Sequence, residues 1–352
     1  MRAQPRRLLC VADALAGFKI AKDSTFAMLR ECQRRGHELA VCTAADLHWQ
    51  SGGPVQAWAQ ALELTGHPSD WYRVGARSAL ALRDFDAVLM RADPPFDSEY
   101  FYATHLLQQA EREGARVFNR PQALREHPEK LALLEFAQYA PPTLVTRSAA
   151  AIRAFHAEQR DIILKPLDGM GGMGIFRVGP DGLNLGVIIE TLNRHGQCTV
   201  MVQRFLPEIA QGDKRVLLIG GEAVPFCLAR IPQGGEVRGN LAAGGKGVAQ
   251  PLSERDWALA RAIGPQRGRR WGRAGAVVLG PHGTAVQTPS SGKPSTNTLS
   301  SPAANAVQRS SRVSGVVTTT AARSPGWLTS AKFTVQSSSI RVAWAKGCWR
   351  TR

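Results

Sequence analysis

The chain has 352 residues, enough for two or three domains, and a formal charge of +16. The charge is unevenly placed: residues 265–352 hold 13 Lys/Arg and no Asp or Glu, leaving 31 basic against 28 acidic side chains in the first 264. A near-neutral body excludes a nucleic-acid footprint spread over the whole chain, and no apolar run reaches the roughly 18 residues of a membrane span.

Residues 8–12 read as a buried strand, and Asp23 or Ser24 can cap a helix over about 25–35 that Gly36 stops. Residues 37–42 form a second strand, so the chain opens on a βαβ unit and a parallel sheet. Residues 50–80 give little beyond a turn at Gly52-Gly53-Pro54; a hairpin excursion fits them. The strand at 85–91, FDAVLMR, runs into a proline-rich DPPFD loop. Open α/β sheets bind ligands at that end of their strands, so Arg91 is either a carboxylate clamp or a solvent-facing strand-end arginine. A helix over 99–113, a short strand at 116–119 and a helix opened by Pro121 follow.

The stretch 161–177, DIILKPLDGMGGMGIFR, organises the middle of the chain. An apolar run ends at Lys165, glycines follow at 169, 171, 172 and 174, and a second apolar run begins at once. Strand, glycine loop, strand is neither a P-loop nor a Rossmann turn, both of which open a helix. Such a loop can fold over a polyphosphate and present backbone N–H groups, with the lysine as a point charge; an ordinary hairpin is the alternative. Around it lie a strand at 143–146, a helix at 149–159, a helix near 185–194 and a strand at 198–206.

Two apolar runs, 216–219 and 223–229, form a hairpin after Asp213-Lys214-Arg215. Residues 230–247, RIPQGGEVRGNLAAGGKG, then carry six glycines and three basic residues, as a lid closing over a reacting group or as a linker. Ser253 caps a last helix, ERDWALARAIG. From Pro265 the chain is rich in Ser, Thr, Gly and Pro and poor in large aliphatics, so disorder is expected there. Cys10, Cys32, Cys42, Cys198, Cys227 and Cys348 form no CxxC pair and read as free thiols in a reducing, cytoplasmic setting.

Taken together, KDSTFAMLRECQRRGHEL, VLMRADPPFD, NRPQALREHPEKL, PPTLVTR, DIILKPLDGMGG, the long glycine-rich string to Gly247 and LSERDWALARAIGP resemble the bacterial glutathione synthetase family of ATP-grasp ligases, nearly continuously over about 7–265. The resemblance implies an α/β (α+β) ATP-grasp fold behind a parallel-sheet pre-ATP-grasp domain. It divides the chain into 1–128 on the peptide side, 129–205 as the small lid subdomain, 206–264 as the start of the large subdomain, and a non-family tail at 265–352. It further implies ligation of γ-glutamylcysteine to glycine through an acyl phosphate, with ATP and Mg²⁺ (or Mn²⁺) as cofactors, in a cytoplasmic homotetramer without a nucleic-acid or membrane partner. By the same resemblance Lys130, Lys165, Gly171 and Gly172 serve the nucleotide phosphates; Gln203, Arg204, Phe205 and Leu206 form the adenine hinge; and Asp213 lies near the ribose. Arg215 and Arg230 lie near the transferred phosphoryl group, Arg91, Asp23 and Ser24 face the peptide, and Gly234, Gly235, Asn240, Gly244 and Gly245 belong to the lid.

The tail departs from the family. The family continues with a motif whose aspartate, glutamate and asparagine hold the metal, and no carboxylate follows residue 264 here, so no metal ligand is assigned. The abrupt change reads as an out-of-frame continuation of a synthetase gene. The alternative function is a non-catalytic ATP or peptide binder whose basic tail meets anionic partners.

Overall fold

The apolar run RLLCV forms β1 (Arg7–Val11), with alternate side chains committed to opposite faces. Leu9 and Val11 join one core cluster, and Leu8 and Cys10 join the other. α1 (Ser24–Arg34) returns the chain to β2 (Glu38–Cys42), parallel to β1. The indistinct region 50–80 is a long hairpin: β3 (Leu47–His48) and β5 (Tyr72–Ala81) both pair antiparallel with β4 (Gln56–Leu64), which pairs antiparallel with β2. β6 (Ala87–Met90) then lies parallel to β1 on its other side, α2 (Ser98–Arg112) crosses over, and β7 (Val117–Phe118) extends the sheet. Strand order in this seven-stranded sheet is β3-β4-β2-β1-β6-β7, with β5 beside β4.

α3 (Pro121–Glu126) and a 3₁₀ segment (Leu131–Tyr139) lead to a four-stranded antiparallel sheet. It consists of β8 (Thr143–Thr146), β9 (Ile162–Pro166), β10 (Phe176–Val178) and β11 (Val200–Arg204), ordered β10-β9-β11-β8. α4 (Ala149–Gln159) and α5 (Leu185–Asn193) pack on it through Ile152, Ile188 and Ile189. The hairpin of β12 (Asp213–Ile219) and β13 (Glu222–Ile231) is flanked by β14 (Lys246–Pro251), and α6 (Glu254–Trp271) follows.

The structure, a computed structural model, describes residues 4–271 except 22, 94, 170, 220, 236, 237, 242 and 243, together with 276–279, 331–336 and 339–344; side chains are described as far as residue 264. α6 therefore continues past the Gly264 stop expected from sequence and ends at Trp271, inside the basic tail. β15 (Ala276–Leu279) pairs antiparallel with β12, and β16 (Ala331–Gln336) pairs with β17 (Ser339–Trp344). The rest of the tail, where disorder is expected, lies outside the described residues. No helix among the described residues is long and apolar enough to cross a membrane.

Asp23 rather than Ser24 supplies the cap of α1: its Oδ1 accepts from the Phe26 N–H at 2.8 Å. That bond satisfies an amide the helix cannot pair internally. Asp23→Ala is expected to cost about 1 kcal/mol, with Asp23→Asn recovering most of it; urea denaturation followed by far-UV circular dichroism checks both.

Candidate active site

Lys165 is the penultimate residue of β9 and is fully buried, and its Nζ donates to Gln203 Oε1 on β11 at 2.5 Å. Antiparallel register places the two strands side by side, with Lys165 opposite Met201. The Gln203 amide is oriented in turn by its Nε2, which donates to Thr143 Oγ1 at 2.9 Å. Burial, and then the neighbouring Lys130 charge, pull the Lys165 amine down to about 7. Lys130 arrives from the turn after α3 and donates to the carbonyls of Gly169 (2.6 Å) and Leu167 (3.3 Å), fastening it to the glycine loop. Burial lowers its pKa as well, against the raising fields of Glu129 and Asp168.

The glycine loop needs its glycines where the backbone is left-handed. Gly171, Gly172 and Gly174 all have positive φ. At Gly172 (φ +86°) a Cβ would stand 2.9 Å from Asn240 Oδ1 and 3.2 Å from Arg238 Cδ. Arg238 also donates to the Gly172 carbonyl at 3.3 Å. Two glycine-rich segments far apart in sequence thus meet here, and the second is folded down onto the first. Its members divide into two groups. Asn240 is buried and its carbonyl accepts from the Gly245 N–H at 3.0 Å, whereas added side chains at Gly234, Gly235 and Gly244 would meet open space.

On the opposite wall, β12 and β13 align Asp213 with Arg230 in register. Arg230 is buried and grips both carboxylate oxygens of Asp213, through Nε at 2.7 Å and Nη2 at 2.8 Å. Burial still raises the Asp213 carboxyl, because it outweighs the arginine. Arg215, two residues along β12, has a buried Nε with no hydrogen-bond partner among the described residues. Burial and the like charge of Arg230 lower its pKa, against the fields of Glu129, Asp213 and Asp93. A buried guanidinium of this kind is suited to binding an anion.

Arg215 links the two halves of the site, because Asp93 also feels Arg91, Asp13 and Asp23. Arg91 sits just beyond β6 and donates to Thr25 Oγ1 and Ser24 Oγ, each at 3.0 Å. The start of α1 therefore orients the arginine, while Asp23 is occupied by its capping bond. Asp93 donates its N–H to Asp13 Oδ2 at 3.1 Å, and its own carboxyl is raised by burial first and Asp13 second.

At 203–206 the chain leaves β11 buried at Phe205 and Leu206. The N–H groups of Arg204 and Phe205 are held by the carbonyls of Pro142 and Asp161, at 3.0 and 2.8 Å. Arg177, paired bidentately with Asp161, lies over the Phe205 ring at 3.8 Å. Sequence reasoning missed Glu129 and Thr143 and gave no role to Asp93, within the noted proline-rich loop, or to Arg238, one of the three basic residues noted in 230–247. Glu129 adjoins Lys130, while the contacts of Thr143 and Arg238 became visible only through pairing across strands and loops.

A divalent metal does not fit this donor set. Among the described residues no group of three His, Cys, Asp or Glu side chains stands together. Both Asp213 oxygens are already held by Arg230, and the chain beyond residue 264 has no carboxylate.

Comparison with known proteins gives the lineage. The family model described as prokaryotic glutathione synthetase, N-terminal domain, matches residues 7–125, and that for the prokaryotic glutathione synthetase ATP-grasp domain matches 129–278, ending inside the basic tail. The glutathione synthetase of Ralstonia nicotianae is 56% identical over 81% of this chain and 88% of its own, and that of Bordetella parapertussis is 53% identical over 80% and 91%. The crystal structure of the D-cycloserine synthetase DcsG shares the fold at 16% identity, with a TM-score of 0.52 over 74% of this chain and 81% of its own. On this evidence the chain belongs to the prokaryotic glutathione synthetase family of ATP-grasp proteins.

Proposed function

We propose that the chain is an ATP-dependent ligase joining the cysteinyl carboxylate of γ-glutamylcysteine to the amine of glycine, giving glutathione. The observation that carries this reading is the convergence of Lys130, Lys165 and the glycine loop on one wall with Arg215 and Arg230 on the other, Arg91 lying beyond. Polyphosphate and carboxylate are both anions, and phosphoryl transfer between them is chiefly positioning and charge neutralisation. The carboxylate oxygen attacks the γ-phosphorus, ADP leaves, and an acyl phosphate forms. The glycine amine then attacks the acyl carbon; inorganic phosphate leaves and the amine's proton passes to solvent.

Roles follow from position. Lys130 and Lys165 meet the phosphates beneath Gly171 and Gly172, and Arg215 and Arg230 steady the phosphoryl group in flight. Asp213 holds Arg230 and borders the ribose. With the Arg204 and Phe205 amides engaged, base recognition at the hinge falls to Leu206. Arg91, set by Ser24 and Thr25, binds the peptide carboxylate. Arg238 and Asn240 close the lid over the acyl phosphate and keep water out. In the family a divalent cation, Mg²⁺ or Mn²⁺, neutralises the polyphosphate; no step here is assigned to it. The segments 1–128, 129–205 and 206–264 act as peptide domain, lid subdomain and large subdomain, in a cytoplasmic tetramer inferred from the family resemblance.

The deciding assay uses enzyme at substrate-level concentration with ATP, γ-glutamylcysteine and glycine. Glutathione and ADP are expected in equal amounts. ADP without glutathione, or a product with another amine only, would overturn the reading.

Gly172→Ala places a methyl group against Asn240 at a left-handed position. The expected result is at least a tenfold loss in kcat/KM for ATP with a melting temperature within a few degrees of the parent, by steady-state kinetics and calorimetry.

Lys165 titrates near 7 when folded and near 10.5 as a free side chain. Between those values the unfolded chain holds more protons, so stability contributed by this group rises with pH across the window and is flat below it. A bound phosphate favours the charged amine, so ATP binding at pH 8 takes up a proton and weakens as pH rises from 7 to 9. Titration calorimetry in buffers of differing ionisation enthalpy measures the uptake, and Lys165→Met should abolish it.

A further inference from the structure

The hydrogen bonds that reach Lys165 from β8 have a direction, and one hydroxyl sets it. Thr143 opens β8 and lies opposite Gln203 in the antiparallel pairing of β8 with β11. Lys165 lies opposite Met201, two residues back along β11. Residues two apart on a strand share a face, so Thr143, Gln203 and Lys165 stand on one face of the sheet. Thr143 Oγ1 donates to the Pro141 carbonyl at 2.7 Å. A carbonyl only accepts, and a hydroxyl has one proton to give. Toward Gln203 the hydroxyl is therefore an acceptor, and it takes the Gln203 Nε2–H at 2.9 Å. That leaves the amide oxygen turned to Lys165, whose Nζ donates to it at 2.5 Å.

The relay starts from a stiff point. Pro141 has its φ set by its own ring and is held extended by Pro142, which follows it, so its carbonyl has a fixed direction. The Pro142 carbonyl accepts the N–H of Arg204 at 3.0 Å, one residue beyond Gln203. The proline pair thus braces the end of β11 through its backbone and through its glutamine side chain. An amide oxygen facing an amine favours the ammonium, whereas an amide NH₂ in the same place favours the neutral amine. The two ends of a carboxamide are nearly the same size, so its orientation is chosen by hydrogen-bond partners and not by shape. Burial, and then the Lys130 charge, already bring the Lys165 amine down to about 7, where a change of neighbour alters its charge. Lys130 comes from the turn after α3 and stands in turn in the fields of Glu129 and Asp168.

We propose that Thr143, set by Pro141, is a positioning residue for nucleotide binding: it orients the Gln203 amide so that its oxygen faces Lys165 and keeps that amine in the charged form a phosphate requires. The inference rests on the ligase reading and concerns the same site. Thr143 acts through Gln203, so its effect is expressed only where Lys165 is present and only where the amine's protonation is at stake. Loss of the hydroxyl frees the amide to turn its NH₂ toward the amine, and the amine then releases its proton at lower pH. A smaller fraction of the chain carries the charge that meets the phosphate, and the deficit grows as pH rises.

The test is titration calorimetry of ATP on the full chain from pH 6 to pH 8, comparing the parent with Thr143→Val and Thr143→Ser. Thr143→Val is expected to weaken binding by about twofold at pH 6 and about tenfold at pH 8, the pattern that a tenfold loss of proton affinity at the amine gives. Thr143→Ser keeps the hydroxyl and should stay within about threefold of the parent throughout. In a Lys165→Met background, Thr143→Val should change affinity by less than about twofold. Should Thr143→Val fail to fold, Thr143→Ala removes the hydroxyl without added bulk and serves the same comparison. The parent alone gives a further reading: the Gln203 side-chain amide lines in ¹⁵N NMR should shift as pH passes 7. A loss that is equal at every pH, that persists without Lys165, or that Thr143→Ser does not restore overturns the inference and leaves the ligase reading standing, as do amide lines that stay still from pH 6 to 9. No ATP binding by the parent at any pH overturns the ligase reading, and the inference with it.

Discussion

A lysine amine buried without access to water is the constraint from which the rest of the site follows. Lys165 is fully buried near the end of its strand, and its amine donates to the Gln203 oxygen. Burying a charge is costly, and the amine responds by giving up affinity for its proton. An incoming phosphate restores the charged form. The groups around the amine are themselves held in place by further contacts. Gln203 is turned by Thr143, Lys130 is anchored to loop carbonyls, and Arg230 is locked to Asp213.

The second organising feature is the meeting of two glycine-rich segments. Glycine at 172 is required twice, once for its left-handed backbone and once because Asn240 leaves no room for a Cβ. The lid's root is thereby fixed to the phosphate loop, while Gly234, Gly235 and Gly244 stand clear of neighbouring atoms. A lid with a fitted root and an open tip can seat reproducibly over different occupants of the cleft.

Much of this was legible in the sequence for a physical reason. Local chemistry determined the elements: Asp23, Asp97 and Ser148 cap helices beside apolar periodicity, and Pro121 opens one. Lys165 and the glycine loop stood out because strand, glycine and lysine occur together in one short string. What stayed hidden was set by register rather than by composition. Nothing near Thr143 announces that it faces Gln203 across β11, and nothing near Arg238 announces Gly172. The hairpin at 56–81 was indistinct because β5 is exposed along most of its length, so it lacks the inside-outside alternation that marks a strand. The end of α6 was misjudged because Gly-Pro at 264–265 reads as a stop, yet the helix continues through it.

The pairing of β15 with β12 bears on how much sequence change the fold can absorb. Val216 to Ile219 accept Leu279 to Ala276 through main-chain hydrogen bonds, which depend on extended backbone and scarcely on which side chains are attached. A sheet edge is in that sense tolerant of sequence: any short β-competent string delivered by the preceding helix can occupy it. Metal ligation has no such tolerance, since it depends on particular oxygens at particular places. The edge at 276–279 can therefore absorb wide change in sequence, whereas chemistry that depends on placed oxygens cannot.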